Sequence, residues 1–177
     1  MNKLKQQLTI PYFAYGSCMD MRRINKSEYG HCFRKVLGVG VLQDYSLKFT
    51  RRSDDGQGRA DIVEDDHGVV EGKVYEIPVS VLTAYLYRRE GVLVKAYRPT
   101  FVTVKKNGEE VQALTFVVVN KEPETAPPLD YEAEIFRGAA GYLSVAYLEE
   151  LKRHIDGLRK RLVDRGDGST GPGQCTG

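Results

Sequence analysis

Residues 97–120, YRPTFVTVKKNGEEVQALTFVVVN, set two runs of β-branched and aromatic side chains on either side of Lys106-Asn107-Gly108. An Asn-Gly pair suits a tight turn whose central residues need left-handed backbone, so the stretch predicts a β-hairpin of Tyr97–Lys105 and Val111–Asn120. Similar composition upstream marks more strands. Leu8–Ala14 reads as one, interrupted near its start by Pro11. Val36–Thr50 reads as one or two, followed by a polar loop over Arg51–Gly58. Ala60–Val63 and Val69–Ile77 read as a second hairpin around Asp65-Asp66-His67-Gly68.

Helical signals are fewer. Asp20 predicts the cap of a short helix through Arg23. Ser80 predicts the cap of a helix within Pro78–Gly91, with Leu82, Tyr85 and Leu86 on one face and Gly91 as its stop. Pro123, Pro127 and Pro128 predict a loop leading to Tyr131. Leu148, Leu151, Ile155, Leu158 and Leu162 recur at helical spacing and predict a long amphipathic helix over Leu143–Val163. Its apolar stripe suits either covering the sheet or forming a homodimer. The Gly/Ser/Thr-rich run Gly166–Gly177 predicts a disordered tail, leaving residues 1–165 as one domain. Strands that cluster as hairpins, rather than alternating with helices, argue for an α+β sheet or barrel over a doubly wound fold.

Composition narrows the function classes. The chain has 177 residues, 41% hydrophobic and 28% charged, with a net charge of +2. Such a chain can bury a core without metals or disulfides. Its Lys and Arg residues are dispersed, without the clustered basic face that nucleic-acid binding needs. Cys18, Cys32 and Cys175 form neither a disulfide framework nor a zinc-type spacing. The stretch MNKLKQQLTIPYF does not read as a secretory signal, and no apolar run approaches the ~18 residues of a membrane span. A reducing, cytoplasmic setting without membrane attachment is expected.

Two features carry candidate chemistry. Glu90 falls in the last turn of a predicted helix, where the helix dipole disfavours negative charge by roughly 0.3–1 kcal/mol. An acid against local preference points weakly to function; a solvated helix end neutralised by Arg88 and Arg89 is the ordinary alternative. The second feature is the turn Tyr15-Gly16-Ser17-Cys18-Met19 at the end of the first strand. Gly16 lets the backbone approach a ligand, and successive amides there can form an anion-binding nest. Cys18 could instead be a nucleophile of an amidase or acyl transferase, but no local motif links His31, His67 or His154 to it. Arg51, Arg52 and Arg59 border a polar loop that could close over such a site.

The segments YFAYGSCMD (12–20), RADIV (59–63), GVVEGKVYEI (68–77) and YRREGV (87–92) resemble, in content and order, those of the γ-glutamylcyclotransferases. The similarity continues through Ala113–Phe116, Pro127-Pro128 with Tyr131, and Gly138-Ala139, so it covers roughly Tyr12 to Ile155. The resemblance implies an α+β fold, a mixed, mostly antiparallel β-barrel flanked by a few helices. It also implies a small-molecule γ-glutamyl substrate, cyclised to 5-oxoproline with release of an amine, and no cofactor or metal. Carried over by position, Glu90 is the acid–base residue. Tyr15, Gly16, Ser17, Cys18 and Met19 form the substrate cradle, and Tyr97 and Tyr131 are candidate hydroxyl contacts. Two positions depart from the family pattern: Cys18 stands in place of Asn, and Phe116 in place of a Tyr found in some members. The second departure bears on which amine is released. A non-catalytic binding module of the same fold is the remaining alternative.

Overall fold

The computed structural model describes residues 7–166. Its frame is a closed five-stranded barrel in the order β1-β3-β2-β4-β5. The strands are β1 (Thr9–Ala14), β2 (Val36–Arg52), β3 (Gly58–Pro78), β4 (Tyr97–Lys106) and β5 (Glu109–Val118). All neighbours run antiparallel except β1 and β5, whose parallel pairing at Tyr12 and Leu114 closes the barrel. This is the mixed, mostly antiparallel barrel that the resemblance implied. The β4–β5 hairpin turns at Asn107 (φ 50°) and Gly108 (φ 82°), as its sequence predicts.

One expectation is corrected. Asp65–Gly68 does not reverse the chain: β3 runs without a break from Gly58 to Pro78. Glu64 pairs with Tyr45 and Val69 with Gln43, both antiparallel on the same partner strand, so residues 65–68 are an outward excursion opposite Asp44. The true reversal lies at Ser53–Gln57, where the Ser53 amide bonds Gln57 O at 3.1 Å and the Ser53 hydroxyl bonds Asp55 Oδ1 at 2.7 Å. Register shifts at three places along β2 bend this long ribbon, as closure of a small barrel requires.

Asp20 caps α1 (Met21–Ile24) by accepting from the Arg22 amide at 3.0 Å. The expected helix of Pro78–Gly91 forms as a π-turn over Leu82–Leu86 that runs into α2 (Tyr87–Arg89). Ser80 does not cap it; the Thr83 hydroxyl instead donates to Ser80 O at 3.4 Å. Gly91, at φ 60°, ends it as predicted. A helix that the sequence reading missed, α3 (Leu129–Ala139), begins right after Pro128 and carries Asp130 and Glu132 in its first turn. Finally, α4 (Val145–Gly166) buries Leu151, Ile155 and Leu158 within this chain, and His154 stacks on Phe49. These three residues of its stripe pack on the chain's own core, while Leu162 at the far end of the stripe stays exposed. The predicted disordered tail lies, beyond Gly166, outside the described residues.

Candidate active site

The turn Ser17–Met19 leaves β1 as a short 3₁₀ segment. Its Met19 and Asp20 amides bond back to Gly16 O (3.0 Å) and Ser17 O (3.1 Å), while the amides of Gly16, Ser17 and Cys18 have no protein partner among the described residues. The outer side of the turn is fixed. Lys73 Nζ donates to Met19 O at 3.1 Å, and the Tyr75 hydroxyl lies 3.3 Å from both Cys18 O and Met19 O. Helix α3 presses on it as well: a β-carbon at Gly138 would come within 2.5 Å of the Asp20 amide nitrogen. Three amides without a protein partner on a clamped turn are an arrangement of the kind that suits an anion.

Across from the turn stands Glu90. A straight α-helix turns about 100° per residue, so the extra residue of the π-turn re-aims Arg89 and Glu90 by roughly that angle. Both side chains end up largely buried, 15% and 14% exposed. The Cys18 thiol donates to Glu90 Oε1 at 3.5 Å, and Arg89 Nε donates to Cys18 Sγ at 3.0 Å. The same guanidinium reaches Ser17 Oγ at 3.2 Å and the Tyr85 hydroxyl at 3.3 Å, and its Nε lies 3.5 Å from Glu90 Oε1. Burial pushes the Glu90 carboxyl above the ordinary glutamate range, and the Arg89 charge opposes that rise.

Burial likewise pushes the Cys18 thiol up, against the pull of Arg89. A neutral thiol is a poor nucleophile, and no imidazole meets it. His31 contacts Glu28 O and Cys32, and His154 contacts Glu124 at 2.8 Å. His67 lines a separate groove beside α4.

The two tyrosines converge on one backbone unit. Tyr97, at the start of β4, donates its hydroxyl proton to Ala60 O at 2.8 Å. Tyr131, on α3, accepts from the Ala60 amide at 3.2 Å. Tyr97 therefore keeps lone pairs for an incoming donor, while the Tyr131 hydroxyl, which also meets the Ser17 side chain, can turn its proton to an acceptor. Ala60 is itself anchored by buried Asp61, which accepts from Thr50 Oγ1 (2.6 Å), the Val118 amide (2.9 Å) and Lys121 Nζ (2.5 Å).

Between these groups lies a cavity of about 40 Å³, walled by Tyr15, Gly16, Ser17, Cys18, Glu90, Tyr97, Phe116 and Tyr131 among others. The Tyr15 hydroxyl is committed to Phe116 O and so serves the wall. Gly16 leaves no slack: a β-carbon there would sit 3.3 Å from both Ala60 Cβ and the Tyr131 hydroxyl. Ser17, Glu90, Tyr97 and Tyr131 also line a vestibule of about 230 Å³ just outside. The groove beside α4 is larger, about 510 Å³, but holds none of these converging groups. Of the eight residues assigned from sequence to acid–base, cradle or hydroxyl roles, all but Met19 line the inner cavity; Met19 is buried beneath the turn, Arg51 and Arg59 line the vestibule, and Arg52 pairs with Glu122 instead. The reading missed Arg89, taken for a charge at a solvated helix end, and the Ala60 backbone that aligns the two tyrosines.

The closed, mixed five-stranded barrel is the fold of a solved gamma-glutamyl cyclotransferase. The AIG2-like family model matches residues 69–151. YkqA of Bacillus subtilis (strain 168), provisionally named a gamma-glutamylcyclotransferase, is 48% identical over 157 residues, which is 88% of this chain and 56% of YkqA. Its crystal structure superposes with a TM-score of 0.81 over 87% of this chain. A solved gamma-glutamyl cyclotransferase is 26% identical, with a TM-score of 0.73 over 96% of this chain and 92% of its own. The chain is thus similar to AIG2-like, γ-glutamylcyclotransferase-like proteins, and it spans little more than half, 56%, of the curated relative that it matches. No described helix is long and apolar enough to cross a membrane.

Proposed function

We propose that the protein cyclises the γ-glutamyl group of a γ-glutamyl amino acid or amine to 5-oxoproline. One observation carries this reading: a buried carboxylate, Glu90, faces three unpaired amides and two oppositely committed tyrosine hydroxyls across one small cavity. In the reaction the substrate's own α-nitrogen attacks its γ-carbonyl carbon. A C–N bond forms in the ring while the bond to the leaving nitrogen breaks. The α-ammonium gives up two protons, and the leaving nitrogen gains two and departs as an ammonium. Because attack is intramolecular, holding the chain folded replaces a protein nucleophile. The protein must move protons and stabilise the oxyanion.

Glu90 takes the first role. A carboxyl whose pKa burial has raised is a stronger base than an exposed glutamate, and once protonated it can deliver to the leaving nitrogen. The free amides of Gly16, Ser17 and Cys18 suit the α-carboxylate or the oxyanion. Tyr131 is a side-chain hydroxyl on the same wall that can turn its proton from Ser17 to the substrate, and Tyr97 can accept from the α-ammonium. Tyr131→Phe should lower kcat/KM about tenfold or more, the scale of ~1.5–3 kcal/mol for a hydrogen bond to a charged group. Initial rates on one γ-glutamyl dipeptide check this; an unchanged rate would remove Tyr131 from the donor set.

The reading is tested by incubating the protein with γ-glutamyl dipeptides and γ-glutamyl amines and identifying the product. 5-Oxoproline supports it, free glutamate marks a hydrolase, and binding without turnover marks a non-catalytic module. Cys18→Ala separates the nucleophile alternative in the same assay. The thiol supplies one weak hydrogen bond to Glu90, whereas the turn binds through its backbone. The variant should keep activity within a few-fold of wild type. A dead Cys18→Ala alongside an active Glu90 variant would reverse the assignment.

A further inference from the structure

The vestibule outside the catalytic cavity is lined by Arg23, Arg51, Arg59 and Arg89, with Glu90 as the carboxylate among its lining residues. Three of these arginines have acidic partners. Arg89 pairs with Glu90 at 3.5 Å, Arg23 with Glu134 at 2.6 Å and Arg59 with Asp55 at 2.8 Å. Arg51 has none within ion-pair distance among the described residues; its guanidinium contacts the Arg52 carbonyl at 3.3 Å. Arg59 is held in place from the other side, its guanidinium 5.1 Å from the centre of the Tyr131 ring. The Arg51 charge reaches the Tyr97 hydroxyl, where it counters part of the effect of burial.

The inner cavity takes the reacting glutamyl end, so the substituent on the leaving nitrogen must extend into the vestibule, past Tyr97 and Tyr131. There it meets one uncompensated positive charge and a fixed guanidinium face. We infer that the released amine carries a carboxylate close to its nitrogen, as an amino acid or peptide does, and that Arg51 is the specificity-determining residue that recognises it. A guanidinium fork matches a carboxylate in plane and charge, whereas an ammonium group in the leaving portion would be repelled. Arg51 does not touch the reacting atoms, and its influence is on binding of the leaving group.

The inference rests on the proposed cyclisation, and one experiment separates the two. The full chain is assayed for 5-oxoproline with γ-glutamyl-alanine, γ-glutamyl-alaninamide and γ-glutamyl-ethylamine, which share the glutamyl end and differ in the leaving carboxylate. The expected result is a kcat/KM for the acid at least about tenfold above either neutral compound, the scale of one charge-assisted hydrogen bond. Arg51→Gln should bring that ratio close to one, chiefly by raising KM for the acid, and Arg51→Glu should reverse it. Because Arg51 is partly exposed, added salt should also compress the wild-type ratio. Equal kcat/KM on all three compounds, or an Arg51→Gln loss that falls on all three alike, overturns this inference and leaves cyclisation standing. No 5-oxoproline from any compound overturns both.

Discussion

Glu90→Gln is expected to fold as the wild type does and to lose at least about a hundredfold in kcat/KM, the lower range for a general acid–base residue. Glutamine keeps the size of glutamate and can still accept the Cys18 thiol, so the wall of the cavity is preserved. What it lacks is a site to receive the α-ammonium proton. Stability gives a control. Burial penalises the charged form of Glu90, so the folded chain holds the proton more tightly than the unfolded chain. Ionised Glu90 then costs stability as pH rises through its folded-state pKa, and an amide avoids that cost. The loss of a partner for Arg89 acts the other way, so the melting temperature should stay within a few degrees of wild type. The pH profile gives a second readout. The proposed mechanism needs the carboxylate, so wild-type kcat/KM should fall on acidification through a pKa above the ordinary glutamate value of about 4.3. Residual Glu90→Gln activity should not show that limb.

Arg89→Met should produce the second large effect, on both stability and pH dependence. The guanidinium ties the turn to the helix through Cys18 Sγ, Ser17 Oγ, Tyr85 and Glu90, and it is mostly buried. Removing one partner of such a pair leaves the other carboxylate unneutralised, a loss of order ~3 kcal/mol. Arg89 also opposes the burial-driven rise of the Glu90 pKa. Without it that pKa climbs further, and the acid limb of kcat/KM moves to higher pH. Arg89→Lys keeps the charge but not the fork, and should restore part of the limb's position without restoring the Ser17 and Tyr85 contacts together. Thermal melts and rate profiles on the two variants check both parts. A profile that stayed in place in Arg89→Met would show that Arg89 holds structure without setting the base.

Local chemistry explains which features were legible in the sequence. The β4–β5 hairpin was readable because Asn107-Gly108 fixes its own backbone. The Asp20 cap and the Gly91 stop were readable for the same reason. The excursion at Asp65–Gly68 carries turn-forming residues, yet the ladder with β2 continues on both sides; only pairing with a distant strand decides that the chain does not reverse. Helix α3 was hidden behind Pro127-Pro128, read as loop. A proline just before Asp130 and Glu132 is also a helix-start signal, and it would have placed Tyr131 on a helix. Arg89 was missed for a geometric reason. Regular helical spacing does not foresee a π-turn, and without that turn Arg89 and Glu90 have no reason to share one buried face.

The site residues fared differently. Tyr15–Cys18, Glu90, Tyr97 and Tyr131 were singled out from motif order, and the fold brings them around one cavity. Their division of labour was not legible. Which tyrosine donates and which accepts depends on the Ala60 carbonyl and amide, and these are placed by barrel closure and the anchor at Asp61.

Turnover of a γ-glutamyl dipeptide in ¹⁸O-water, with mass analysis of the glutamyl product, tests the central claim most directly. Intramolecular cyclisation takes no oxygen from solvent, so the account predicts 5-oxoproline without label, at a rate that collapses in Glu90→Gln. Glutamate carrying ¹⁸O in its γ-carboxylate, or unlabelled 5-oxoproline formed equally fast by Glu90→Gln, would contradict it.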